Sequence, residues 1–214
     1  MSKDSLFSKK RMTLLRDPLN DSNPITVQAL GVCSALAITV QLKPAIVMAI
    51  SVMVVLSVAN VLISFMRKLI PSRIRIIVQL VVIAALVILV DEVLKAFVYD
   101  VSKELSVFVG LIITNCIIMG RLEAFGMANE PWESFLDGIG NSFGYAWILI
   151  VVAFFRELLG SGTLYGYPVL EKIGLYETGY ENNGMMILPP MALITVGIII
   201  WIQRMKNEKL IESK

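Results

Sequence analysis

The sequence predicts an all-α integral membrane protein with six transmembrane helices, arranged as an inverted repeat of three plus three, with broken half-helices at the first and fourth spans. Three observations lead there. Of the 214 residues, 57% are hydrophobic, in near-continuous runs of Val, Ile, Leu and Ala, a composition foreign to soluble domains. At about 20 residues per span, six helices and short loops use up the chain and leave no room for a separate soluble domain. Two apolar segments are short or interrupted, and they occupy corresponding places in the two halves.

Residues 1–23 are a polar, basic N-terminal tail in which Phe7, Met12, Leu15 and Leu19 recur roughly as one helix face. That is the pattern of a short helix on the membrane surface or on a partner, or of a frayed tail. Ala35-Leu36-Ala37 has the look of a signal-peptidase site and Leu30-Gly31-Val32-Cys33 faintly resembles a lipoprotein box, but such boxes want a small residue where Val32 stands, and the 23-residue polar head is long for a signal. The spans are Pro24–Leu42, Ala45–Met66, Ile74–Phe97, Leu105–Met119, Ile139–Leu159 and Met185–Gln203. Residues 24–104 form the first three-helix repeat, 105–204 the second, and 205–214 a C-terminal tail. Lys43-Pro44 makes a tight turn between the first two spans, and Pro189-Pro190 kinks the start of the last.

Basic residues choose the orientation. With both termini cytoplasmic, the inner segments hold 14 of the 19 Lys and Arg. Loop 120–138 then faces inward. Loop 160–184 faces outward and carries Tyr165, Tyr167, Tyr176 and Tyr180 at the lipid–water interface. Phe65–Ile70 ends the second span much as Phe154–Leu159 ends the fifth, 89 residues later. Three spans per half is an odd number, so equivalent elements cross the bilayer in opposite directions.

The two interrupted spans carry the only two cysteines, Cys33 and Cys116, 83 residues apart. Paired broken segments point to a site at the membrane midplane. A free cysteine is also an ordinary small apolar filler, but both of these fall at similar depth in matched elements. Asn115 is suited to capping a half-helix beside Cys116, and Gly31 permits close backbone approach beside Cys33. Such a start aims backbone N–H groups at the sulfur. Histidine is absent, which excludes histidine-ligated haem and zinc and His-based catalysis within this chain. Iron–sulfur sites usually take four cysteines, so bound metal requires a second chain to bring two more, as a [2Fe–2S] cluster shared across an interface. Zinc and a disulfide are the alternatives. Intramembrane acids are functional by default, which nominates Asp91 and Asp137 for cation handling, although Lys95 can pair with Asp91. Arg156-Glu157 reads as a mutual neutralisation.

The stretches "GVCSALA" (31–37), "RIIVQ" (75–79), "VDEVLKAFVYDVSKELSVFVGLIITNCIIMGRLEAF" (90–125), "DGIGN" (137–141) and "FFRELLGSG" (154–162) resemble the D-subunit family of the bacterial sodium-translocating NADH:quinone oxidoreductase over roughly residues 20–205. The homologous subunit of Rnf-type ferredoxin:NAD oxidoreductases shares the cysteine motifs, while "VDEVLKAFVYDVSKELSVF" is more similar to the quinone-linked complex. The resemblance implies a polypeptide that is not catalytic alone, inside a translocase with NADH:ubiquinone reductase activity. It implies six spans, a pseudo-symmetric partner of opposite topology (the E subunit), and Cys33 and Cys116 as this chain's ligands to a shared [2Fe–2S] cluster. Electrons would pass from the NADH-oxidising F subunit through that cluster to FMN on the C subunit. FMN and riboflavin on the B subunit and then ubiquinone would follow, coupled to Na+ export; the A subunit completes the complex. An electron added in a low-dielectric site favours cation approach. A small inverted-repeat secondary transporter and a pure scaffold are the competing readings.

Overall fold

The computed structural model describes residues 9–19, 22–71, 73–97, 109–168 and 184–206. In chain order the helices are α1 (Lys9–Arg16), α2 (Val32–Ile38), α3 (Leu42–Met66), α4 (Arg75–Phe97), α5 (Val109–Ile113), α6 (Cys116–Arg121), α7 (Pro131–Gly160) and α8 (Pro189–Lys206). α3, α4 and α7 are each long and apolar enough to cross a membrane, and α8 is a shorter apolar helix.

The core is the α3–α7 pair, and small residues explain why these two pack. A Cβ on Gly138 would lie 3.0 Å from the Ser57 Cα, so the backbones run almost in contact there. Buried Asn60 donates to the Ser134 carbonyl (3.1 Å). Near the end of α3, Ser64 and Arg67 donate to the Asn129 carbonyl at 2.6 and 2.7 Å. These bonds satisfy backbone groups that an apolar interface would leave stranded. α4 is much less covered, with Ile77, Val81, Leu89 and Phe97 all exposed. Its apolar surface is suited to lipid or another chain.

The N-terminal segment does form the short helix, docked on α7 of this same chain. Gly140 admits the Leu14 backbone, whose carbonyl would stand 2.6 Å from a Cβ there, and Gly144 admits Pro18. Asn23 donates to the Gly144 carbonyl at 3.0 Å. Phe7 of the expected apolar face lies outside the described residues.

Several boundaries differ from the sequence reading. α3 begins at Leu42, so Lys43-Pro44 is its first turn and not a loop; proline is tolerated there because that N–H has no helical partner. α7 begins at Pro131, eight residues before the expected start, with Pro131 at its first position. Hydropathy missed this turn because Glu133 and Asp137 make it polar, yet its small residues pack on α3. Most of the expected loop 120–138 is therefore helical, including a π-helical turn at Leu122–Gly126. Pro189-Pro190 starts α8 and does not kink it. In the outer loop, Thr163–Leu164 and Tyr167–Pro168 form a small antiparallel hairpin. Its turn, Tyr165-Gly166, has φ of +57° and +83°, the double positive φ of a type I′ hairpin turn. Tyr165 and Tyr167 are exposed; Tyr176, Tyr180 and the junction at 104/105 lie outside the described residues.

Candidate functional site

The first break begins where Asn23 turns the chain, its side-chain oxygen accepting from the amides of Ile25 (3.0 Å) and Thr26 (3.3 Å). Leu30 N–H reaches back to the Pro24 carbonyl (2.7 Å). Gly31 follows in the left-handed region (φ +82°), which glycine enters without a Cβ penalty, and α2 starts at the next residue. The second break is Thr114-Asn115. α5 stops at Ile113, Asn115 adopts extended backbone, and its side-chain oxygen accepts from Ile117 N–H (3.3 Å). Asn115 thus caps α6, as its residue type predicts.

The two breaks meet. Gly31 N–H donates to the Cys116 Sγ at 2.9 Å across 85 residues of sequence. Gly120 lets α6 pass close to Leu30, whose Cδ1 would be 3.0 Å from a Cβ there. Cys116 is the first residue of α6 and Cys33 the second of α2, so both thiols sit at half-helix starts. Both are free, Cys33 exposed and Cys116 half-buried, which sets the disulfide alternative aside. Among the described residues no third His, Cys, Asp or Glu joins them in a metal-sized group. The donor set is two thiols and a backbone N–H facing one sulfur. That suits half of a four-cysteine cluster completed by another chain, and suits a mononuclear zinc site within this chain poorly.

Three further residues, Ser34, Tyr145 and Arg156, hold the breaks in place. Ser34, buried, donates to the Gly31 carbonyl (2.9 Å). Its oxygen lies 2.7 Å from the hydroxyl of Tyr145, which is fully buried in α7. A tyrosine midway along an apolar helix needs a hydroxyl partner, and that signal was available in the sequence. Buried Arg156 donates to Thr39 Oγ1 (2.6 Å) and the Leu36 carbonyl (3.3 Å) at the end of α2. It also donates to the carbonyls of Met186 (3.0 Å), Ile187 (2.7 Å) and Leu188 (3.3 Å). A cation at a helix C-terminus is where the backbone dipoles favour one. Glu157 instead accepts from Leu42 N–H (2.6 Å), capping α3. Arg156 and Glu157 therefore serve separate helix ends and not each other, because adjacent helical residues do not share a face.

The acids are elsewhere. Asp137 forms a two-bonded ion pair with Arg121 at the end of α6, through Nε (3.0 Å) and Nη2, and accepts from Asn141 at 3.0 Å. Arg121 also lies over Phe125, 5.5 Å from the ring centroid. Asp91 on α4 pairs with Lys95 (2.7 Å), which also reaches Glu92 (3.1 Å). The structure brings Gly31, Cys33, Asn115 and Cys116 together, joins Asp137 to the far end of the Cys116 helix, and gives Asp91 a purely local partner.

Comparison with known proteins agrees on one lineage. The chain is 53% identical over 208 residues to the D subunit of the Na(+)-translocating NADH-quinone reductase of Photobacterium profundum, covering 97% of this chain and 98% of that one. It is 54% identical over 201 residues to the D subunit of the Haemophilus ducreyi enzyme, covering 94% and 96%. A Shewanella counterpart is 51% identical over 208 residues, covering 97% and 98%. Residues 11–200, and with them both cysteine breaks, match the family described as Rnf-Nqr subunit, membrane protein, and the chain belongs to that family.

Proposed function

We propose that this chain is the D subunit of a sodium-translocating NADH:quinone oxidoreductase, supplying Cys33 and Cys116 as two ligands of a [2Fe–2S] cluster shared with the E subunit. The observation that carries this reading is the Gly31 N–H···Sγ bond to Cys116: it joins in space the two broken segments that bear the thiols. Bound there, the cluster supplies one-electron transfer between the NADH-oxidising side and the flavins and ubiquinone beyond. The chain's own part is to hold the ligands. Asn115 fixes where α6 begins, Gly31 places a donor on one sulfur, and Arg156 ties the end of α2 to the 186–188 carbonyls.

Six crossings in two inverted halves, both termini cytoplasmic and an inner-membrane location complete the proposal. The paired breaks and the basic inner segments support it. The A, B, C and F subunits are the further partners it requires. Asp137 and Asp91 enter as paired groups, so a sodium ion passing either would compete with Arg121 or Lys95.

Iron and acid-labile sulfide per purified complex are the test. Cys116→Ser and Cys33→Ser should each remove most of the iron at this site while the complex stays assembled. Unchanged iron and sulfide in both variants would sink the proposal in favour of a scaffold.

A further inference from the structure

Tyr145 lies beneath the joined breaks, and counting protons gives its hydrogen bond a direction. A serine hydroxyl has one proton to give and two acceptor positions. Ser34 commits its proton to the Gly31 carbonyl (2.9 Å). The Ser34 oxygen is then an acceptor, for the Tyr145 hydroxyl at 2.7 Å and for Asn115 Nδ2 at 3.4 Å. Tyr145 therefore donates. Its ring also backs Gly31, since a Cβ there would lie 3.0 Å from the Tyr145 Cε2. Tyr145, Ser34 and Asn115 are all at least nine-tenths buried, so water does not substitute for any of these bonds. The series runs from the Tyr145 hydroxyl to Ser34, to Gly31, and through the Gly31 N–H to Cys116.

We propose that Tyr145 is a positioning residue: acting through Ser34, it fixes the Gly31 segment whose N–H holds the Cys116 sulfur, and so raises the electron affinity of the centre that sulfur ligates. This rests on the iron centre proposed above. Hydrogen bonds to cluster sulfurs help set the reduction potential, because a donor favours the more negative, reduced state. A Gly31 amide released from its anchor gives that stabilisation up in part.

The test is a redox titration of the purified complex, following the optical or paramagnetic signal of the iron centre. Tyr145→Phe keeps the ring against Gly31 and removes only the hydroxyl. The expected result is a lower midpoint potential, with the one-electron reduction constant down about three- to tenfold, the scale of one hydrogen bond; tenfold corresponds to about 59 mV. Ser34→Ala cuts the next link and should shift the potential the same way. The double variant should go no further than the larger single shift, because links in series are not additive. A wild-type potential in either variant, or additive shifts, overturns the inference. Should Tyr145→Phe fail to assemble, a wild-type potential in Ser34→Ala is enough to overturn it. The two readings fail differently: iron that survives loss of both cysteines defeats the proposed function, while an intact centre with an unmoved potential defeats only the role of Tyr145.

Discussion

Replacing Gly31 by alanine asks the most of the geometry. The perturbation is one methyl group, and its surroundings are specified. Gly31 sits at φ +82°, a conformation that costs an L-residue roughly 1–2 kcal/mol. The new Cβ would stand 3.0 and 3.2 Å from Cε2 and Cδ2 of Tyr145 and 3.7 Å from Asn115 Oδ1. The ring cannot simply swing away, because its hydroxyl is held by Ser34 at 2.7 Å; overpacking of this kind costs about 1–3 kcal/mol. Together the terms reach about 2–5 kcal/mol, concentrated where α2 meets α6. Gly197→Ala is the control: nothing lies within 4 Å of its Cβ position, and alanine in a helix is better than glycine by about 0.5–1 kcal/mol. The assay is the temperature at which half of the detergent-purified complex is lost, with iron retained per complex read alongside. Gly31→Ala should fall well below wild type on both, while Gly197→Ala should match wild type or exceed it. If the two glycine variants behave alike, the left-handed turn and its tyrosine backing do not organise this site.

Asp137→Asn leaves the Arg121 guanidinium without its carboxylate in a mostly buried position, which costs about 3–5 kcal/mol. Adding Arg121→Met should recover much of the lost thermal stability, and two independent, additive losses would refute the pairing. Arg156→Lys offers three donors where the guanidinium serves five acceptors. At least two acceptors go unpaired, at about 1–3 kcal/mol each if they stay dry, so the yield of assembled complex in membranes should drop several-fold. A wild-type yield would mean that the end of α2 holds without the clamp.

Strictly local properties were legible in the sequence. The long apolar runs identified α3, α4 and most of α7 because a lipid-crossing helix needs length and composition and little else. The two breaks were visible because Gly31 and Thr114-Asn115 interrupt those runs with residues that favour turns and caps, and Asn115 caps α6. The first two turns of α7 were missed for the complementary reason. They are polar, and what stabilises them is the Gly138–Ser57 contact with a helix about 80 residues earlier.

What the sequence determined by itself is that this is a membrane protein with two broken, cysteine-bearing segments. Only the tertiary structure decided that the breaks touch, that Ser34 is served by a tyrosine 111 residues away, and that Arg156 turns from Glu157 toward α2. The physical reason is that an apolar helix displays nearly the same hydropathy on every face. Composition says that it enters the membrane, but its rotation about its own axis is set by which neighbour satisfies its few polar groups, and those partners lie far off in the chain.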